Sequence, residues 1–150
     1  MRDVKLDTII RVDRSARLVY PNWVIKVMHP KLEAAGPAEY DLGQVEQFLH
    51  EQQKEGLVEG NELYEFFKDS NLLAKCLGLA DLLAIQAKEI DFFQKYFYDK
   101  WVFGWRSVVQ HNCGRFRVSS LDGHDGEVKL HWYWLVSGWH ALGPALLFKE

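Results

Sequence analysis

The spacing of apolar residues changes near residue 100. Before that point they recur every three or four positions, the spacing that lines one face of a helix. After it they alternate, the spacing of a strand with one buried face. Ahead of both patterns, residues 8–12 (Thr-Ile-Ile-Arg-Val) are β-branched and predict a short strand. Asn22 is placed to cap a short helix from Trp23 to Met28, which His29-Pro30 ends; 30–40, with Pro30, Gly36 and Pro37, reads as an ordered loop. Asp41 opens the clearest helix. Gln44 completes a capping pair, Leu42, Val45 and Leu49 share a face with Phe48 beside them, and Gly56 supplies the stop. Further helices are predicted from Asn61 to about Lys68, with Leu63, Phe66 and Phe67 inward, from Ser70 or Asn71 to Gly78, and along the stripe Leu79, Leu83, Gln86, Ile90, Phe93 and Phe97. Gln86 is the polar member of that stripe, so its amide needs a partner.

Residues 101–110 and 115–121 predict two strands, the first apolar on both faces and therefore central. Asp122-Gly123-His124-Asp125-Gly126 signals a turn. Residues 127–135 alternate most regularly, with Val128, Leu130, Trp132 and Trp134 on one face and Glu127, Lys129, His131 and Tyr133 on the other. Ala145 to Phe148 adds a last strand. The predicted fold is a single α+β domain over 1–150. It comprises an N-terminal strand and loops (1–40), a helical part (about 41–97), and a C-terminal antiparallel meander of three to five strands (about 101–148) with the helices packed on one face.

Composition adds one unusual feature. With 150 residues, 48% hydrophobic and 26% charged, the chain can build a core without staples, and it is neither disordered nor collagen-like. Aromatic residues reach 14% and include six Trp, so the core is Trp-rich or some of these rings face a partner. Charge is uneven: the net is +2 over 1–40, -6 over 41–100 and +1 over 101–150. The acidic middle repels a phosphate backbone and leaves only the two ends for nucleic acid. Cys76 and Cys113 are too few for a disulfide scaffold; as free thiols they point to a reducing compartment, while as a pair they are enough for one bridge. No apolar run approaches the roughly 20 residues of a membrane span. The opening Met-Arg-Asp-Val-Lys-Leu-Asp has no apolar core for a signal peptide, so the expected location is the cytoplasm.

The stretch Tyr20-Pro21-Asn22-Trp23-Val24-Ile25-Lys26-Val27-Met28-His29-Pro30, then Gly36-Pro37-Ala38-Glu39-Tyr40-Asp41, Val108-Val109-Gln110 and the late Trp-Tyr-Trp-Leu, resembles a group of short, uncharacterised bacterial proteins. The resemblance covers most of the chain. It implies a bacterial, cytoplasmic protein and carries over no functional residue.

Motifs for phosphate loops, dinucleotide binding, zincin chemistry, Cys-x-x-Cys and the nucleophile elbow are all absent from the sequence. His111-x-Cys113 places both side chains on one face of a strand, but zinc needs about two more ligands, and a strand end entering the turn Asn112-Cys113-Gly114 explains the pair without metal. Ser137, His140 and Asp122 or Asp125 supply hydrolase residue types without a meaningful spacing. No catalytic residue, metal or cofactor is assigned.

Two binding surfaces remain. The first is Arg11, Arg14, Arg17, Tyr20, Trp23 and His29, where guanidinium groups grip carboxylate or phosphate and rings stack. The competing reading buries Trp23, Val27 and Met28 and pairs the arginines with Asp13, Glu33 or Glu39. The second is the sheet face away from the helices, with Arg106, Arg115, Arg117, His131 and Tyr133; Trp139, in a Gly-rich loop, is the aromatic expected to be most exposed. The expected function is a non-enzymatic protein-binding or adaptor module using this aromatic and basic surface. The alternatives are a single-stranded nucleic-acid binder through Arg11, Arg14, Arg17 and the sheet arginines, and a small enzyme with a pocket between helices and sheet near His29, His111 or Cys113. A protein partner is expected, and a membrane is not.

Overall fold

The computed structural model describes residues 8–149. The signal-peptide reading rests mainly on residues 1–7, which lie outside that range. In chain order the elements are β1 (Ile9–Arg11), β2 (Val24–Val27), α1 (Pro30–Glu33), β3 (Glu39–Asp41), β4 (Glu46–Phe48), α2 (Glu51–Glu55), β5 (Val58–Glu59), α3 (Gly60–Asp69), α4 (Leu79–Gln86), α5 (Glu89–Phe97), β6 (Val102–His111), β7 (Phe116–His124), β8 (Glu127–Trp134), β9 (Gly138–Trp139) and β10 (Ala145–Leu147). No helix among the described residues is long and apolar enough to cross a membrane.

The long strand β6 organises the main sheet. One edge pairs antiparallel with β7, which pairs in turn with β8. The other edge is shared: β10 runs parallel to it at Phe103, and β2 runs antiparallel to it at Val109 to His111. β4 then pairs antiparallel with β10. The β7–β8 hairpin closes through Asp125 and Gly126, both with positive φ (53° and 76°), the geometry that Asp-Gly favours.

Alternation along the strands sends side chains into two cores. Phe103, Trp105, Val108, Val118 and Leu147 pack with Leu63, Tyr64 and Phe67 of α3. Val102, Leu121, Val128 and Leu146 pack with Leu82 and Ile85 of α4 and Phe93 and Phe97 of α5. A strand apolar on both faces is what such a double cover requires.

These findings overturn the predicted architecture in its particulars. The arrangement is roughly α+β, with the longer helices ahead of the long strands. The main sheet, however, has six strands and is mixed, not antiparallel; it takes β2 and β4 from the N-terminal part, and helices cover both faces. The predicted helix at Trp23 to Met28 is strand β2. Val24, Ile25 and Val27 are β-branched, and the far end of β6 has an open edge whose backbone groups need partners. The predicted helix from Asp41 is a single 3-10 turn followed by β4. Asp41 does cap, accepting the Gly43 N–H at 2.9 Å, but Gly43 is a poor helix former and pairing of 46–48 with β10 prevails. The loop expected over 30–40 contains α1 and β3. The stripe over 79–97 is two helices, broken where Glu89 adopts φ 74°. Its polar member behaves as required: the Gln86 amide donates to the Val128 carbonyl at 2.9 Å.

Gly60 opens α3 against the opposite layer. A Cβ there would meet the Leu135 carbonyl oxygen at 2.7 Å and overlap the Trp139 ring. Gly60→Ala is therefore expected to lose about 1–3 kcal/mol in urea unfolding, although alanine is the better helix former. An unchanged or raised midpoint would refute the tight approach.

Candidate functional site

β6 carries a bulge. Gly104 stands opposite Ser119 but Val108 opposite Val118, so Trp105, Arg106 and Ser107 bow out of the ladder. The Arg106 N–H donates to the Leu77 carbonyl (3.1 Å), and a Cβ on Gly104 would meet Gly78 Cα at 3.2 Å. The bulge is thus pressed against the start of α4. Ser107 Oγ accepts the Leu79 N–H (2.6 Å), capping that helix from another element, and donates to Glu33 Oε1 (2.5 Å). Asp81, three residues into α4, reaches back to the Gly78 N–H (3.0 Å). It also accepts from the Tyr40 hydroxyl (2.8 Å) and twice from Arg14 (3.2 and 2.8 Å).

Arg106 itself is buried, and among the described residues no carboxylate hydrogen-bonds to its nitrogens. Its guanidinium donates to the carbonyls of Ala35 (2.6 Å) and Ala74 (2.5 Å), and Nε is buried without a hydrogen-bond partner. Burial pushes its pKa down, with Asp81 and Glu33 opposing the shift. Burial raises Tyr40, helped by Asp81. Burial also raises the Glu33 carboxyl from 4.5 to about 7, against hydrogen bonds from Ser107 and the Tyr20 phenol and the nearby charge of Arg106. Glu33 is only 9% exposed, and its Oε2 is buried with no hydrogen-bond partner. Beside it lies a cavity of about 240 Å³ with Leu18, Val27, Pro30 and Ala80 in its apolar wall.

A second, open groove of about 490 Å³ lies at the β7–β8 end of the sheet and is lined by Trp23, Trp101, Arg117, Asp122, His131, Trp132 and Tyr133 among others. Arg117 fills the space between two indoles, 3.8 Å from the Trp134 centroid and 4.6 Å from that of Trp23. Trp23 stacks on His111 (5.0 Å) and meets Trp132 edge-on (6.0 Å).

The predicted residues are dispersed among these settings. Arg11 and Arg17 are exposed, and Arg11 lies 3.7 Å from Glu39. Arg14 pairs with Asp81, a partner sequence reasoning missed. Tyr20 touches Trp132 (6.2 Å) and neighbours Glu33, so it joins the cavity to the groove. His29 Nε2 bonds the Tyr64 hydroxyl at 2.5 Å, and burial, then Lys68, lowers its pKa. Arg106, expected on a solvent face, is sealed inside. Arg115 is exposed, Arg117 and Tyr133 are half-buried, and His131 bonds Asp122 at 2.9 Å. Trp139, expected to be the most exposed ring, is 2% exposed, packed on Phe103 (5.0 Å) and Trp105 (5.4 Å) because β9 docks it against β5. His111 and Cys113 form a turn in which Nδ1 accepts the Cys113 N–H (3.0 Å). Among the described residues no group of three or more His, Cys, Asp or Glu is placed to hold a metal ion.

Glu33, Ser107, Asp81 and Tyr40 were not singled out as site residues. Asp81 left a signal, since an acid three positions after Gly78 is a helix-start pattern. Glu33 and Ser107 left none, because their meeting spans most of the chain. Comparison of the chain with protein-family models, with curated proteins and with solved structures finds no match.

Glu33 gives a pH signature. Its pKa is raised in the folded state, so its contribution is fully present below about pH 4.5 and is lost as pH rises through about 7. The shift corresponds to a stability difference on the order of 3 kcal/mol. In Glu33→Gln, which keeps an acceptor for Ser107, the fall in stability between those pH values is expected to flatten relative to the parent; parallel curves would show that Glu33 is not protonated in the fold. The thiols give a second test. Cys113 is exposed, while Cys76 is fully buried and its pKa is pushed up by that burial. Under native conditions a thiol reagent is expected to modify Cys113 promptly and Cys76 only on unfolding.

Proposed function

We propose that the protein is a non-enzymatic binding module of the cytoplasm whose β7–β8 groove holds an acidic, apolar segment of a protein partner. The observation that carries this reading is the groove itself: Trp23, Trp101 and Trp132 keep part of their rings in an open cleft that also holds Arg117. Half-exposed Trp and Arg are the side chains that anchor protein interfaces. Charge supports an acidic partner. The groove holds Arg117 and a single lining carboxylate, Asp122, which His131 already engages.

Edge geometry supports recognition by side chains over addition of a strand. β8 ends the sheet, yet three of its carbonyls are occupied: Val128 by Gln86 (2.9 Å), Trp132 by Arg117 (3.5 Å) and Trp134 by the Ser137 N–H (3.0 Å). A nucleic-acid reading loses cations, because Arg106 and Arg14 are committed to interior partners. The two cysteines, unpaired as a reducing compartment leaves them, support the cytoplasmic placement.

The test uses a short peptide alternating Glu with Leu and Phe, its Lys-substituted counterpart and an oligothymidylate. The acidic peptide is expected to shield the groove Trp residues from acrylamide, and Trp132→Ala is expected to weaken it on the order of tenfold. Shielding by oligothymidylate alone, or by none of the three, would overturn the reading.

A further inference from the structure

Helix α4 carries its polar residues on the inside. Asp81 is held by Arg14, Tyr40 and the Gly78 N–H, and the Gln86 amide reaches the Val128 carbonyl. Leu79, Leu82 and Ile85 fill the core beside them. The outward positions are Ala80, Leu83, Ala84 and Ala87, at the i, i+3, i+4 and i+7 spacing of a second apolar stripe. Leu83 keeps 37% of its surface exposed. A helix apolar on every side is ordinarily a buried helix, and this one has a bare face.

That face borders an open trough of about 390 Å³, lined by Ala80, Leu83 and Ala84 from α4 and by Leu18 and Val19 from the segment that follows β1. Val19 is 84% exposed, so the surface presents an apolar ridge beside an apolar hollow. Charge divides along the helix. Arg11 and Arg17 line the trough beside the first turns of α4; Arg11 lies 3.7 Å from Glu39, and Arg17 is exposed. Asp13 lines it too, but its carboxylate is bonded to Ser15. At the opposite end, two residues past Ala87, stands the exposed Glu89, while the Lys88 ammonium lies over the Phe92 ring at 5.4 Å. One end is therefore basic and the other acidic, with apolar surface between.

We infer that α4 packs antiparallel against the α4 of a second copy of this chain, about a two-fold axis passing near Leu83. A two-fold contact sets each end of a patch against the opposite end of its copy. Arg17 then faces the partner's Glu89, and the pair occurs twice in the dimer. The chain thus supplies both halves of the complement, the apolar surface and the two signs of charge. Alanines at 80, 84 and 87 let the helices approach toward the short end of the roughly 8–10 Å range for packed helices. Each Leu83 enters the partner's trough, and Val19 covers its flank. One short helix and one adjoining segment make a small interface, so the dimer is weak, with a Kd on the order of 10 µM. Neither Arg117 nor a groove Trp takes part, so the pairing does not depend on the groove's role.

The experiment is sedimentation velocity of the full chain over about 1–100 µM, where a reversible dimer is expected to grow in with concentration. Leu83→Glu alters an exposed position and buries one carboxylate from each copy in the contact. It is expected to raise the dimer Kd on the order of a hundredfold, with the urea midpoint of the monomer unchanged. Arg17→Glu sets like charges together and is expected to weaken the dimer about fivefold; adding Glu89→Arg to the same chain is expected to restore it. A parent chain that stays monomeric up to about 100 µM would overturn the assignment. So would an assembly other than a dimer, a dimer indifferent to Leu83→Glu, or a double variant no tighter than Arg17→Glu alone.

Discussion

The structure depends on one buried cation. Arg106 sits on a bulge of the central strand, buried, with no carboxylate bonded to its guanidinium among the described residues. Burying an ion costs several kcal/mol unless hydrogen bonds compensate. Here the compensation comes from main-chain carbonyls, at Ala35 after α1 and at Ala74 in the turn before α4. Those segments are far from Arg106 in sequence and close only when the chain is folded. The bulge thus fixes the N-terminal segment, the start of α4 and the central strand in one place. Ser107, the next residue, reinforces this by capping α4 and holding Glu33. Polar groups with this many obligatory partners specify an arrangement more strongly than apolar contacts do.

Around that point the aromatic residues divide by role. Trp105 and Trp139 fill the core shared with α3, where ring packing supplies much area per residue. Trp23, Trp132 and Trp134 instead surround Arg117 near the edge of the sheet, and Trp101 stands at the groove with 38% of its surface exposed. High Trp content therefore serves two ends, and the one residue type marks both the interior and the surface with binding character.

Both candidate sites hang on the segment between β1 and α1. It carries Arg14 to Asp81, Tyr20 between Trp132 and Glu33, and Trp23 against His111. Little of it is regular structure, and it is held by specific side-chain contacts with the sheet and α4. That is the usual division of labour, a rigid scaffold presenting a loop that carries the chemistry.

Local pattern alone determined a good part of this protein. The strands β6, β7 and β8, the Asp-Gly hairpin, helix α3 and the partner demand of Gln86 follow from spacing, because alternation and helical periodicity reflect which side of an element is buried. The failures have a common cause. Residues 24–27 and 46–48 became strands because β6 and β10 offered open edges, and helical spacing at Asp41 yielded to that pairing. The double helical cover, the parallel β10 and the burial of Trp139 depend on neighbours distant in sequence. For the site the division is sharper. Arg14 and Tyr20 were visible as residue types, yet their meaning came from Asp81, Glu33 and Ser107, which only the bulge brings together. A sequence records how much of each face must be hidden; which groups meet once it is hidden is set by the tertiary structure, since buried charges and open strand edges take whichever partners the whole fold brings within reach.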